Sequence, residues 1–109
     1  MNGAALFIRH KSLPGRRDEV RRVWEKHLRR RIGGNAAHDA YFYCYDDSDP
    51  DTICVFQLYD DRASAQAFVK QPWYPAYEAE VAPLLTGESE FRPATPVWIK
   101  ASANGPAAG

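Results

Sequence analysis

The sequence predicts an α+β fold in which helices cover one face of a four-stranded antiparallel sheet. Residues 41–59 join two aromatic and β-branched runs through a short acidic turn, the pattern of a β-hairpin. Residues 16–34 carry apolar side chains at helical spacing, and a second helical pattern follows the hairpin. An extended segment stands at each end of this region. The predicted order is therefore strand, helix, strand, strand, helix, strand.

Length and composition are those of an ordinary globular domain. We expect the 109 residues to form a single domain over residues 1–100, with a flexible tail of small residues over 101–109. Fourteen basic and fourteen acidic side chains give a formal net charge of zero, which argues against a dedicated nucleic-acid or membrane-surface binder. The N-terminus does not read as a signal peptide, and no run approaches the ~20 apolar residues of a membrane span. We therefore expect a cytoplasmic protein.

A change of period separates the first strand from the first helix. Residues 4–12 alternate, and Leu13-Pro14-Gly15 ends the strand. From Arg16 the pattern is helical, and Gly33-Gly34 ends it. The arginine-rich outer face of this helix has acidic residues interleaved, so a solvated surface is expected. One face of the predicted strand carries Leu6, Ile8, His10 and Ser12. The apolar face of the predicted helix carries Val20, Val23, Trp24, His27, Leu28 and Ile32.

The hairpin separates two kinds of surface. With the turn centred on Ser48 and Asp49, Cys44 falls opposite Cys54, within an apolar face that also holds Phe42, Phe56, Ala40 and Leu58. The opposed cysteines would permit a disulfide, but without an export signal we favour reduced, buried thiols. The other face is aromatic with polar ends. It carries Tyr41, Tyr43, Tyr45, Ile53, Val55, Gln57 and Tyr59.

The acidic turn between the hairpin strands, residues 46–51, is expected to be solvated. It lacks the central glycine and the terminal glutamate of an EF-hand loop. No other spacing of histidine, cysteine or carboxylate residues indicates a metal ligand set. The sequence therefore predicts no metal site.

The remainder of the chain predicts a broken helix and an edge strand. Asp60 or Asp61 is suited to cap a helix over residues 62–70, with Ala65, Phe68 and Val69 inward. Pro72 suits the start of a second helix. Pro75 is tolerated in its first turn, whereas Pro83 should loosen its last turn. In residues 88–100, Pro93 and Pro96 confine the last strand to a sheet edge. The apolar positions of the second helix are Trp73, Tyr77, Val81, Leu84 and Leu85.

This order of elements is that of the split-βαβ, ferredoxin-like fold. Helices cover only one face of such a sheet, so the apolar face of Cys44 and Cys54 needs another cover. Pairing with a second copy, sheet against sheet, would bury it. We therefore predict a homodimer.

Short motifs along the chain resemble the antibiotic biosynthesis monooxygenase family. They are Leu13-Pro14-Gly15, Asp49-Pro50-Asp51, the run Leu-Tyr-Asp-Asp-Arg-Ala-Ser-Ala-Gln-Ala-Phe over residues 58–68, and Gln71-Pro72-Trp73. The resemblance spans about residues 5–100. It implies a dimeric α+β barrel with a ligand cleft between helices and sheet in each subunit. Members include small oxygenases that oxidise quinols or anthrone-like phenols without metal or flavin, and also haem-degrading enzymes.

This chain departs from the family pattern at two motifs, and these departures bear on the cofactor that we expect. Family members commonly end the third strand with Glu-x-Trp, where this chain has Gln57-Leu58-Tyr59. The helix histidine that binds iron in haem-degrading members is replaced here by Phe68-Val69. The absence of that histidine counts against haem, and we expect no cofactor.

Cofactor-free oxygenation needs an apolar cavity, a group that accepts a proton and donors that stabilise the resulting anion. His10 is the candidate base, since its unperturbed pKa is near neutrality, and Gln57 and Tyr59 are candidate donors. The expected partner is a small aromatic molecule of the quinol type. The alternatives are that these side chains are structural, and that the barrel binds a hydrophobic ligand without turnover. The predicted substrate-binding residues are Tyr41, Tyr43, Phe68, Trp73 and Tyr77.

Overall fold

The strands form the predicted antiparallel sheet. The structure, a computed structural model, describes residues 3–100, so the tail predicted for residues 101–109 lies outside the described residues. The strand order is β2-β3-β1-β4, with every neighbouring pair antiparallel. This is the strand order of the ferredoxin-like fold, and the predicted fold class is confirmed. The strands are β1 (Ala4–Lys11), β2 (His38–Tyr45), β3 (Thr52–Tyr59) and β4 (Glu90–Ala94).

The first helical segment runs without a break from residue 17 to residue 33. It consists of α1 (Arg17–Trp24), a π-helical turn (Glu25–Arg29) and α2 (Arg30–Gly33). The buried Val23 and Leu28 are five residues apart, which is the spacing that the wider i to i+5 turn brings onto one face. The predicted apolar helix face therefore packs on the sheet, although its π-helical turn was not predicted.

The hairpin has the predicted register. Cys44 pairs with Cys54 and Phe42 with Phe56, so the tyrosine face of the hairpin is turned toward the helices. A β-bulge between His38 and Ala40 breaks the strict alternation at the start of β2. The main core lies between this sheet face and the helices. It is formed by Val20, Val23, Leu28, Ile32, Ile53, Val55, Tyr59, Phe68, Tyr77 and Val81.

The outer face of the sheet is apolar and carries no helix. Three of its phenylalanines are exposed, Phe7 by 43%, Phe42 by 61% and Phe56 by 41%. Cys44 and Cys54 lie half-buried on this face as free thiols. The face thus has the composition of a surface that is buried against another molecule.

The second helical region differs from the prediction at its junction. Helix α3 (Arg62–Phe68) ends before residue 70, and Val69 lies just beyond it, 42% exposed although it still borders the space between helices and sheet. Helix α4 (Tyr74–Val81) begins after Pro72, with Pro75 in its first turn. The reason is a tight turn between the helices, closed by the Tyr74 N–H donating to the Gln71 carbonyl over 3.0 Å.

After helix α4 the structure agrees with the prediction more closely than it does at the junction of α3 and α4. The 3₁₀ turn (Ala82–Leu84) follows α4 where Pro83 was expected to loosen the helix. Strand β4 lies at the sheet edge, where the missing N–H of Pro93 is tolerated. Across residues 3–100, no helix combines the length and the apolar character needed to cross a membrane.

Asp61 caps helix α3, and this generates a prediction about stability. Its carboxylate accepts a hydrogen bond from the Ser64 N–H over 2.7 Å, and this bond lowers the pKa of the carboxyl. Asp61→Ala should therefore destabilise the fold at neutral pH. The pKa of Asp61 is lower in the folded state than in the unfolded state. The stabilisation by the cap is therefore complete above the pKa of the unfolded state, and it is lost as the pH falls through the pKa of the folded state.

Thermal unfolding between pH 2 and pH 7 measures this difference. The matched control is Asp60→Ala, because the Asp60 side chain makes no hydrogen bond to the described residues. The control should unfold at nearly the wild-type temperature. Equal destabilisation by the two substitutions, or an Asp61→Ala effect that persists at pH 2, would contradict the capping role.

Candidate functional site

A cavity lies between the inner face of the sheet and the helices. The centre of a water-sized sphere can move through about 80 Å³ of it, whereas one bound water needs about 10–15 Å³ by this measure. None of the residues that line it is Asp, Glu, Lys or Arg. The cavity therefore has room for a small organic molecule and offers it an uncharged surface.

Aromatic side chains from the first helix and from β2 form one wall of the cavity. The Trp24 ring stacks on Tyr43 with ring centroids 4.2 Å apart, and on Tyr41 at 5.8 Å. The indole Nε1–H of Trp24 donates to the Tyr41 hydroxyl over 3.0 Å. The Tyr43 hydroxyl is buried and has no hydrogen-bond partner among the described residues. This wall thus holds one buried hydroxyl without a partner among the described residues, and the Tyr41 hydroxyl, whose proton is still free.

Gln57 supplies the polar group at one end of the cavity. Its carboxamide oxygen accepts a hydrogen bond from the Tyr59 hydroxyl over 2.7 Å. The same oxygen lies 3.3 Å from Nε2 of His38. The carboxamide Nε2 of Gln57 makes no hydrogen bond to the described residues, although the residue is only 7% exposed. An amide donor that no described residue occupies is therefore left for a ligand.

His38 stands behind Gln57 and does not itself line the cavity. Its ring lies 4.2 Å from the Tyr59 ring and 4.8 Å from the Phe68 ring. Its Nδ1 is 2.8 Å from the Asn35 side-chain amide. Burial lowers the pKa of His38, an effect that the Gln57 hydrogen bond opposes. The imidazole is therefore neutral at physiological pH.

His10 forms the polar group at the other end. It is 9% exposed, and its Nδ1 lies 2.5 Å from the Ser89 hydroxyl. Burial lowers the pKa of His10 to about 4, which corrects the expectation of a value near neutrality. His10 pairs with Ile53, and Gln57 is four residues further along β3, so the two ends are about 13 Å apart along the strand.

Burial also keeps the tyrosines of the cavity protonated. The pKa of Tyr74 is raised to about 12, and the pKa values of Tyr41, Tyr43, Tyr59 and Tyr77 are raised further by the same cause. At physiological pH every one of these phenols is neutral. The cavity therefore offers hydroxyl donors, amide donors and one neutral imidazole.

The structure brings most of the predicted site residues together. Trp73 is the exception, since it does not line the cavity. Its ring packs behind Phe68 at 5.3 Å, and the Arg31 guanidinium covers it at 4.4 Å from the centroid. Trp73 therefore supports the wall from outside. The predicted residues that line the cavity are His10, Tyr41, Tyr43, Gln57, Tyr59, Phe68 and Tyr77.

Sequence reasoning missed four contributors, His38, Trp24, Tyr74 and Phe91. Strict alternation from Ala40 would place His38 on the outer face, and only the bulge turns it inward. Trp24 was assigned to the apolar helix face, but its indole N–H gave the signal of a polar role.

Among the described residues, no group of three or more His, Cys, Asp or Glu could hold a metal ion.

Solved structures of other proteins share this fold. A protein from Chloroflexus aurantiacus, provisionally assigned as an antibiotic biosynthesis monooxygenase, has a TM-score of 0.76 at 21% identity, over 92% of this chain and 98% of that one. SnoaB from Streptomyces nogalater, a cofactor-independent oxygenase solved as a point variant, has a TM-score of 0.78 at 12% identity, over 91% and 97%. Rv0793 from Mycobacterium tuberculosis has a TM-score of 0.77 at 22% identity, over 93% and 100%.

These similarities establish a shared fold. No family model matches the sequence, and no curated protein is significantly similar to it. The resemblance indicated by the short motifs is thus confirmed at the level of the fold, because proteins assigned to the antibiotic biosynthesis monooxygenases have the same architecture over nearly the whole chain.

The buried imidazole of His10 predicts a pH dependence of stability. Unfolded histidine takes up a proton near pH 6.5, whereas folded His10 does so at about 4. The unfolded state therefore binds more protons between these values, and stability must fall as the pH is lowered through that window. The expected loss from this group is about 3 kcal/mol.

Denaturant unfolding at intervals between pH 4 and pH 7 measures this loss. His10→Gln should remove it, and the same variant identifies the His10 resonances for an NMR titration of the wild-type protein. A His10 titration near pH 6.5, or an unchanged pH dependence in His10→Gln, would contradict the assignment.

Proposed function

We propose that this protein is a cofactor-independent monooxygenase that acts on an aromatic or quinol-type small molecule. The observation that carries this proposal is the uncharged, aromatic-walled cavity, in which the polar groups are neutral donors and one neutral imidazole. The shared fold with SnoaB, described as a cofactor-independent oxygenase, supports the same reaction class.

The chemistry depends on an electron-rich substrate. A phenol or enol that has lost its proton can pass an electron to oxygen directly. In such a reaction one oxygen atom becomes a carbonyl on a ring carbon, and the other leaves as water with the hydrogen lost from that carbon and the proton lost from the phenol or enol hydroxyl. The substrate supplies all the electrons for this reduction of oxygen. The protein has to exclude water, accept a proton and stabilise the anion.

His10 is the proposed proton acceptor. It is neutral at physiological pH, and its Nε2 makes no hydrogen bond to the described residues, while Ser89 holds Nδ1. A group with a pKa of about 4 is a weak base. The matching substrates are therefore acidic phenols and enols whose anion is delocalised over a neighbouring carbonyl.

The proposed donor Gln57 lies at the opposite end of the cavity from His10, about 13 Å away along the strand, so a substrate that spans the cavity would meet both. Gln57 offers its amide to the substrate, and Tyr59 orients that amide through the carboxamide oxygen. Tyr41, Tyr43, Phe68 and Tyr77 would form the walls against which the substrate rings pack. In this proposal Trp73 backs the wall at Phe68 and does not touch the substrate.

A second candidate function is a non-catalytic barrel that binds a small hydrophobic ligand. The weak basicity of His10 favours it, because a binding protein needs no proton acceptor. The replacement of the family's Glu-x-Trp by Gln57-Leu58-Tyr59 favours it as well. Turnover distinguishes the two functions.

Oxygen consumption by metal-stripped protein tests the proposal. Reduced naphthoquinols and anthrones are the substrates, and spontaneous oxidation is subtracted. His10→Ala should lower turnover by about a hundredfold, because it removes the proton acceptor. Tyr59→Phe should lower it by about tenfold, because it loosens the Gln57 amide.

The matched control for this experiment is Tyr45→Phe. Its hydroxyl donates to Asp18 over 2.6 Å and does not line the cavity, so turnover should be unchanged. Turnover that survives in His10→Ala would overturn the role of His10. Saturable binding of the same compounds without any oxygen consumption would overturn the enzyme and leave the binding protein.

We further propose that the protein is a homodimer formed through the outer face of the sheet. Phe7, Phe42 and Phe56 are exposed on that face, and the Phe7 and Phe56 rings already meet edge to face at 5.6 Å. Two copies placed sheet against sheet would bury these rings and close a barrel, as the family resemblance implies. The shared apolar face is the same on both copies, as a two-fold interface requires.

Phe42→Glu should dissociate this dimer, because it would place a charge within the apolar interface. Light scattering coupled to size exclusion should then give the mass of one chain, against that of two chains for the wild type. Leu13→Glu is the control, since Leu13 is an exposed apolar residue outside the sheet face. A wild-type protein of 12.3 kDa in solution would contradict the dimer.

A further inference from the structure

We propose that His38 is a positioning residue that turns the Gln57 carboxamide so that its NH₂ group faces the cavity, which makes this end a site for an anionic ligand oxygen. The inference rests on the proposed function for the existence of a ligand. It adds to that function the chemical group of the ligand that Gln57 recognises, and the residues that decide it.

The relay is the series of hydrogen bonds that runs from the Ala37 backbone N–H through His38 to Gln57. The Ala37 N–H donates to the side-chain oxygen of Asn35 over 3.2 Å. This bond fixes the orientation of the Asn35 amide, because a backbone N–H cannot accept. The Asn35 NH₂ group is therefore the one that faces Nδ1 of His38 at 2.8 Å, and Nδ1 must accept.

The tautomer of His38 follows from this bond. A neutral imidazole with Nδ1 as acceptor carries its proton on Nε2. The Nε2–H then donates to the Gln57 carboxamide oxygen over 3.3 Å. If the Gln57 amide were flipped, its NH₂ group would face this N–H, and two donors would oppose each other. The Ala37 N–H thus determines the tautomer of His38, and the tautomer determines the orientation of the Gln57 amide.

Tyr59 alone could not set this direction. A phenol hydroxyl both donates and accepts, so it could satisfy either orientation of the Gln57 amide. Its 2.7 Å bond to the carboxamide oxygen strengthens the arrangement that His38 selects. Because two donors already occupy the oxygen, the NH₂ group is left for the ligand.

The surroundings of this NH₂ group agree with recognition of an oxygen that bears charge. Tyr41, which pairs with Gln57 on the neighbouring strand, lines the same cavity, and its hydroxyl donates to none of the described residues. No carboxylate lines the cavity to repel an anion. A phenolate or enolate oxygen would therefore meet the Gln57 and Tyr41 donors and no competing negative charge.

Binding of a matched pair of ligands tests the proposal. The probes are lawsone, a hydroxynaphthoquinone that is ionised at neutral pH, and its neutral methyl ether, both titrated calorimetrically at pH 7. His38→Leu removes the donor that orients Gln57. It should reduce the preference for lawsone over the ether by about tenfold, with little change in affinity for the ether.

Two further variants separate positioning from structure. His38→Gln should restore most of the preference, because its amide NH₂ can also donate to the Gln57 oxygen. Tyr45→Phe is the control, since the Tyr45 hydroxyl donates to Asp18 at the surface and Tyr45 does not line the cavity. Equal losses for lawsone and the ether in His38→Leu would indicate a merely structural role and overturn the proposal, as would an unchanged preference.

Nitrogen NMR of the wild-type protein tests the relay without any substitution. We expect His38 to be neutral at pH 7 with the proton on Nε2, and the opposite tautomer would overturn the proposal even if the variants do not fold. Failure here differs from failure of the proposed function. Lawsone binding with the expected preference but without turnover would overturn the proposed enzymatic function and support the role of His38. Turnover without the preference would support the enzymatic function and overturn the role of His38.

Discussion

The two hydrogen bonds accepted by the Gln57 carboxamide oxygen determine what the cavity can recognise. They come from Tyr59 on the same strand and from His38 on the neighbouring strand, so the amide is held by the sheet itself. Strand β3, which carries both Gln57 and Tyr59, pairs on both sides, with β2 and with β1. The distribution of donors in the cavity therefore follows from strand register together with the turn before β2, where Asn35 sets the tautomer of His38.

Burial accounts for the chemical character of the remaining side chains. It lowers the histidine pKa values and raises the tyrosine pKa values, so both kinds of group are neutral where they meet the cavity. Neutral donors in a site of low dielectric act strongly on any charge that develops there. The same burial weakens His10 as a base. Acidic phenols and enols are therefore the ligands that suit this cavity best.

Most of the fold could be predicted from the sequence, because strand and helix periods are local properties. The register of Cys44 with Cys54 followed from the position of the turn. Alternation placed Gln57 on the aromatic face of the hairpin, and alternation together with the family resemblance placed His10 toward the cleft. His38 could not be found in this way. A bulge reverses the face on which it lies, and bulges depend on how two strands meet. The pKa of His10 was likewise missed, since the extent of burial is a tertiary property.

The orientation of the Gln57 amide is best measured in a crystal structure of the protein with bound lawsone. We expect the ionised ligand oxygen within hydrogen-bonding distance of the Gln57 carboxamide nitrogen, with the rings against Tyr41 and Tyr43. The His38 and Tyr59 donors should remain on the carboxamide oxygen. A ligand bound outside the cavity, or one whose ionised oxygen lies away from the Gln57 nitrogen, would contradict the account.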